Sequence, residues 1–137
     1  MLDMRGNTAA YLLYQLTRIR SVVRKVDGKV SVEEMKKVAG DESFFINHPR
    51  ELKLAKTILK FHEVLHQAQR DLLIHPICEW MYLLSNVFSQ FYNECYIIEN
   101  LEGVEKIHVG RLILAEATAK VMEAAFKILG IQTLHKM

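Results

Sequence analysis

The stretch NTAAYLLYQLTRIRSVVRK, from Asn7 to Lys25, decides the fold class, because its apolar residues recur at the spacing of an α-helix. Asn7 is the predicted N-cap of this helix, and Asp27-Gly28 ends it. The apolar side chains form one stripe that a globular protein buries, and it comprises Leu12, Leu16, Ile19, Val23 and Val26. The stretch therefore predicts an amphipathic helix packed on a core.

The rest of the chain repeats helical spacing. Ser31 to Glu34 reads as a capping box that opens a short helix ending near Gly40. A longer helix is predicted from Leu52 to Leu73, and Pro76 starts a fourth, which runs to Cys95. Asn100 to Lys106 is a predicted polar loop, and a last helix runs from about Val109 to Leu129, with Gly130 as its C-cap. We found no strand pattern, so these segments predict an all-α bundle of about five helices.

Length and composition agree with one globular domain over residues 1–137. The chain has 137 residues, two prolines and six glycines, which favours long helices over a turn-rich β fold. No run is long enough to span a membrane. Cys78 and Cys95 form no pairing or metal pattern and are expected to be inert thiols.

The positive charge is concentrated on the first helix. Residues 1–30 hold six Lys/Arg against two Asp, which leaves twelve Lys/Arg against fourteen Asp/Glu in residues 31–137. Opposite the apolar stripe lie Tyr14, Arg18, Ser21 and Lys25, with Tyr11 beside Arg18 and with Arg20 and Arg24 on a flank. Tyrosine rings among cations are typical of surfaces that stack unpaired bases and hold phosphates. The alternative is a helix between two layers, with its tyrosines packed on both sides.

The fourth helix also carries tyrosines at the edge of its apolar stripe. Tyr92 and Tyr96 lie one turn apart beside its apolar stripe, with Ser85 and Ser89 on the same side. Each edge alone is compatible with half-buried tyrosines that only pack. Two such edges in one bundle favour a shared binding site.

A competing motif is His62-Glu63-Val64-Leu65-His66, a literal H-E-x-x-H on a predicted helix. This spacing can hold zinc between the two histidines while the glutamate acts as a general base. Catalytic zinc needs a third protein ligand. Gln69 replaces the glycine of the extended motif, and only the distant Glu79 and Glu94 are candidates. A zinc metallopeptidase is therefore a remote alternative to two histidines on a helix flank.

Three segments in order resemble the C-terminal, DALR-type anticodon-binding domain of eukaryotic cytosolic arginyl-tRNA synthetases. They are RGNTAAYLLYQLTRIRSV (Arg5 to Val22), SQFYNECY (Ser89 to Tyr96) and RLILAEATAKVMEAAFKILGI (Arg111 to Ile131). The resemblance covers essentially the whole chain. Three features depart from the family pattern: Gln15 follows the second tyrosine, His62 stands where proline is common, and the D-A-L-R string is absent.

The resemblance implies an all-α fold and contacts with the anticodon loop of an arginine tRNA. The residues implied as contacts are Tyr11, Tyr14, Arg18, Tyr92, Tyr96 and Met137. Arg20, Arg24 and Lys25 are further candidates for phosphate contacts.

The resemblance also implies that this domain works within a longer cytoplasmic enzyme that ligates arginine to its tRNA using ATP. The chain is then a fragment with no catalytic residue, metal or cofactor of its own, since ATP and magnesium bind the catalytic domain, which is its expected partner. DNA and membranes are not expected partners. Two alternatives stay open: a free-standing tRNA-binding adaptor of the same domain type, and a docking module whose tyrosine face meets protein.

Overall fold

The computed structural model describes residues 5–26, 29–40 and 46–130, with side chains from residue 9 onward. Its elements are α1 (Arg5–Lys25), α2 (Val32–Ala39), α3 (Pro49–Leu59), α4 (Phe61–Asp71), α5 (His75–Glu94), β1 (Ile98–Leu101), β2 (Val104–Ile107) and α6 (Val109–Ile128). The central helix is α5, which packs against α1, α3, α4 and α6, while α6 also packs against α1, α2 and α3. The predicted all-α bundle is confirmed.

The first helix buries its predicted stripe, with two corrections. It begins at Arg5, so Asn7 lies inside the helix and is not its N-cap. Val22 is buried, whereas Val23 is only partly buried against the core. The buried face also includes Gln15. It is broader than the predicted stripe because α1 packs against both α5 and α6.

Two of the predicted helix starts are confirmed. The Ser31 side chain caps α2 by accepting a hydrogen bond from the Glu34 backbone N–H at 3.1 Å. Pro76 lies in the first turn of α5, where its missing N–H removes no intrahelical bond. The last helix ends one residue before the predicted end, and its C-cap is Leu129 rather than Gly130. Gly130 follows at φ +76°, a conformation that favours glycine.

The predicted long third helix is wrong, because it breaks at Lys60 into α3 and α4. The Trp80 indole N–H donates a hydrogen bond to the Thr57 carbonyl oxygen at 2.8 Å. In an unbroken helix that oxygen accepts from the N–H of Phe61. The side chain of Phe61 also contacts Trp80, because the two rings stack with centroids 4.8 Å apart. A side chain of α5 thus competes for the backbone at the break.

The predicted polar loop at Asn100 to Lys106 is also wrong, since it forms an antiparallel hairpin. Ile98 pairs with Ile107 and Leu101 with Val104. The two turn residues, Glu102 and Gly103, have φ of 53° and 83°. Positive φ at both positions suits a tight two-residue turn between twisted strands. Each strand has only four residues, too few to show an alternating pattern.

Candidate nucleic-acid interface

A groove runs between α1 and the C-terminal end of α5. It consists of two adjoining cavities of about 490 and 450 Å³, which share Val22, Lys25 and Tyr92 as lining residues. We call this surface the α1–α5 groove. Six of the predicted site residues line it: Tyr14, Arg18, Arg24, Lys25, Tyr92 and Tyr96. The structure therefore brings together the two tyrosine edges that the sequence places far apart.

Two tyrosine rings are open to solvent at this groove. Tyr14 is 58% exposed on α1, and Tyr96 is 60% exposed just after α5. Large aromatic side chains left this exposed lose the stabilisation that burial gives. Their exposed π-faces can stack on flat, unpaired bases.

Tyr92 is held in place by its neighbours. Its half-buried ring stacks on Phe88 with centroids 6.2 Å apart and an interplanar angle of 9°. The Arg18 guanidinium lies over the same ring, with Cζ 5.7 Å from the centroid. A cation over an aromatic face is attracted by the ring quadrupole. This contact joins α1 to α5 and fixes a positive charge at the groove.

The electrostatics of the groove suit an anion. Arg24 and Lys25 are exposed at its α1 edge, and Arg18 is half-buried between the helices. In the part of the chain that the structure describes, no Asp or Glu lines either cavity. Because these positive side chains have no carboxylate beside them in the groove lining, they attract anionic groups such as phosphates.

Tyr11 is not brought into the groove. Its half-buried ring stacks on Tyr82 of α5, with centroids 5.5 Å apart and an interplanar angle of 19°. Tyr82 was not predicted as a partner of Tyr11, because no pattern among its sequence neighbours indicates a contact with another helix. The stack makes Tyr11 part of the α1–α5 packing, so we leave it outside the proposed base-stacking surface.

Arg20 is also placed elsewhere. Its Nε donates to Glu123 Oε1 of α6 at 2.9 Å, and its side chain is only 12% exposed. This ion pair holds α1 against α6. We therefore assign Arg20 to the bundle's packing and leave it outside the groove, and its predicted phosphate contact stays a prediction. Met137 lies outside the described residues, and its predicted contact stays a prediction.

A mostly buried ion pair, also missed from the sequence, supports one side of the groove. Arg111 of α6 donates from Nε to Glu51 Oε1 of α3 at 2.7 Å and from a guanidinium nitrogen to the Tyr96 carbonyl oxygen at 2.8 Å. Glu51 also accepts from the Asn47 backbone N–H at 3.3 Å. Arg111 thus fixes the backbone that carries the exposed Tyr96 ring. The two partners are 60 residues apart, so no local pattern reveals them.

The histidine motif forms a ring contact. His62 and His66 lie edge to face on α4, with centroids 4.6 Å apart. Within residues 5–26, 29–40 and 46–130, no group of three His, Cys, Asp or Glu side chains is placed to hold a metal ion. The described residues thus supply no third ligand for a zinc site at this motif.

Neither Cys78 nor Cys95 forms a disulfide within the described residues. Burial raises the pKa of the Cys95 thiol, although the nearby Arg111 charge opposes this. A raised pKa keeps the sulfur protonated and unreactive at neutral pH. None of the described helices is both long and apolar enough to cross a membrane.

Comparison with known proteins identifies the domain. Residues 12–137 match the family described as the DALR anticodon binding domain. The chain is 44% identical over 140 residues to the cytoplasmic arginine–tRNA ligase of Xenopus tropicalis, and 44% identical over 138 residues to the probable cytoplasmic arginine–tRNA ligase of Caenorhabditis elegans. These alignments cover 100% of this chain but only 21% and 19% of the relatives.

A solved structure shows the same arrangement. The arginyl-tRNA synthetase of Plasmodium falciparum superposes with a TM-score of 0.75 at 29% identity, over 100% of this chain and 22% of that one. The chain thus spans about a fifth of the length of the proteins it matches. By sequence along nearly its whole length, the chain belongs to the DALR anticodon binding domain family.

Proposed function

We propose that this chain binds the anticodon loop of an arginine tRNA, as the anticodon-binding domain of an arginyl-tRNA synthetase. The observation that carries the proposal is the pair of exposed rings, Tyr14 and Tyr96, at one groove that also holds Arg18 and Lys25. The family membership supports the same ligand class. The proposed contacts are Tyr14, Arg18, Arg24, Lys25, Tyr92 and Tyr96, with Met137 added by resemblance alone.

The mechanism is recognition rather than bond chemistry. Arginine tRNAs differ in their anticodons but share the middle C, so the domain must read that base strictly and tolerate its neighbours. Unstacked loop bases can lie on the faces of Tyr14 and Tyr96 while cations hold the backbone. Each stacked base contributes on the order of 1–3 kcal/mol to binding. The Arg18 guanidinium already lies over the Tyr92 ring, so binding does not have to pay the entropy of ordering this side chain.

The activity of the whole protein is part of this proposal. The relatives are arginine–tRNA ligases about five times as long as this chain, and several are named cytoplasmic. We infer that residues 1–137 form one domain of such an enzyme, working in the cytoplasm beside a catalytic domain. That catalytic domain would bind ATP and magnesium and join arginine to the tRNA. The domain described here would then place the tRNA.

Replacing Lys25 tests whether the groove binds the RNA backbone. Lys25 lines both cavities and is exposed, so Lys25→Ala should remove one phosphate contact. We expect binding to weaken equally for all loop sequences, and the slope of log affinity against log salt to fall by about 0.7–0.9. The measurement is tRNA affinity by filter binding or fluorescence anisotropy across a salt series.

Lys37→Ala is the matched control, because Lys37 is an exposed lysine of α2 that does not line the groove. Its salt slope should match that of the unmodified chain. Equal slopes for the Lys25 and Lys37 variants would remove the groove from the phosphate-binding surface. Tight tRNA binding without salt dependence would contradict the proposed ligand mode altogether.

A further inference from the structure

The outward side of α3 carries a second surface that the proposed function does not use. The inward side of this helix buries Glu51, Leu54 and Thr57. The outward side leaves two large apolar residues in solvent, Leu52 at 45% and Leu59 at 76% exposure. Three exposed lysines accompany them: Lys53 and Lys56 on the helix, and Lys60 at its C-cap. We call these five residues the α3 outer face.

The lysines of this face form a row of unneutralised charge. They follow one another at intervals of three and four residues, which places them on one side of the helix. Among the ion pairs between described residues, none involves any of the three. Three adjacent cations repel one another. A negatively charged partner would relieve that repulsion.

The leucines have the spacing of a helix–helix seam. Leu52 and Leu59 are seven residues apart, and the half-buried Ala55 lies between them. Apolar residues at such positions pack against a facing helix, while charges beside the seam select the partner. We propose that the α3 outer face docks an acidic amphipathic helix of a protein partner, with apolar residues on the Leu52–Leu59 strip and carboxylates opposite the lysines.

This surface lies away from the α1–α5 groove. Arg50 of α3 contacts Gln90 and Glu94 of α5. Both residues are two positions from Tyr92, about 200° around the helix axis, so Arg50 contacts α5 on the side away from Tyr92. The α3 outer face also lies opposite the buried Glu51, on the far side of α3. A helix on α3 and RNA in the groove can therefore bind at once. The leucine strip favours a protein helix over RNA, because phosphate contacts do not use exposed leucines.

The test uses a synthetic peptide of three heptads, with leucine at the a and d positions and glutamate at e and g. A matched peptide carries lysine in place of each glutamate. We expect the chain to bind the acidic peptide at least about tenfold more tightly than the basic one at low salt. Lys53→Glu/Lys56→Glu/Lys60→Glu should reverse that preference, and Leu52→Ser/Leu59→Ser should weaken binding of the acidic peptide at least about tenfold. Circular dichroism and thermal unfolding verify that both variants fold.

The competition experiment separates this surface from the groove. Saturating tRNA should leave the affinity for the acidic peptide unchanged, and the triple lysine variant should keep its tRNA affinity within about threefold. No preference for the acidic peptide, or full binding by the leucine variant, would overturn the proposal. Loss of tRNA binding in the triple variant would instead make α3 part of the RNA surface. Leucine-dependent binding to vesicles containing anionic lipid, without binding to the peptide, would make it a membrane contact.

Discussion

Glu51→Ala should lower the free energy of unfolding by about 3–5 kcal/mol, the largest stability loss we expect from a single charged residue here. Glu51 is buried and accepts hydrogen bonds from both Arg111 and the Asn47 backbone. Truncation leaves the Arg111 guanidinium, itself mostly buried, without its carboxylate. Such an uncompensated charge costs more than the pair contributed. Urea unfolding followed by circular dichroism measures the change.

Glu105→Ala is the control for this prediction. Glu105 pairs with Lys29 at 2.6 Å, but both side chains are nearly half exposed. Solvent screening should hold its loss below about 1 kcal/mol. A similar loss in the two variants would show that the Glu51–Arg111 pair is no more important than a surface contact. Because Arg111 also holds the Tyr96 carbonyl, Glu51→Ala should weaken RNA binding more than Glu105→Ala does.

Replacing both exposed tyrosines should have the largest effect on RNA binding. Tyr14→Ala and Tyr96→Ala should each weaken tRNA affinity about ten- to a hundredfold, since each removes the face on which a base stacks. The double variant should lose more than either single variant. Both rings are mostly exposed, so the free energy of unfolding should change by less than about 0.5 kcal/mol.

Tyr14→Phe and Tyr96→Phe are the matched controls. Each keeps the ring and removes only the hydroxyl, so stacking should preserve most of the affinity. Leu72→Ala removes an exposed apolar side chain of the turn between α4 and α5 and should have no effect on the RNA. If alanine at Tyr14 leaves affinity unchanged in a folded chain, that residue does not belong to the site.

Local sequence patterns predicted the helices well because helix formation depends on neighbours along the chain. The stripe of α1, the Ser31 cap and the Pro76 restart are all encoded within a few residues. The break at Lys60 is not encoded locally, because the Trp80 indole that competes for the backbone there comes from another helix. The hairpin was missed because its strands are short, although Gly103 marked the turn.

The candidate site follows the same rule. Helical phase correctly placed Tyr14 away from the core and marked Tyr92 and Tyr96 beside the apolar stripe of the fourth helix. The resemblance then gave all three the same role. Helical phase could not show whether Tyr11 and Arg20 line the groove or pack between helices. Their partners, Tyr82 and Glu123, lie on other helices, and the Arg20 pair spans 103 residues. The phase of a side chain on its helix predicts the direction in which it points, but not which residue of another helix it contacts.

The decisive measurement is the affinity of this chain for an arginine tRNA, compared with the same tRNA whose middle anticodon C is changed to another base. Both affinities are measured at one fixed salt concentration. A base read by a stacked and hydrogen-bonded pocket should give at least about a tenfold preference for the C. Equal binding to the two tRNAs would contradict anticodon reading and leave only a basic groove that attracts phosphate.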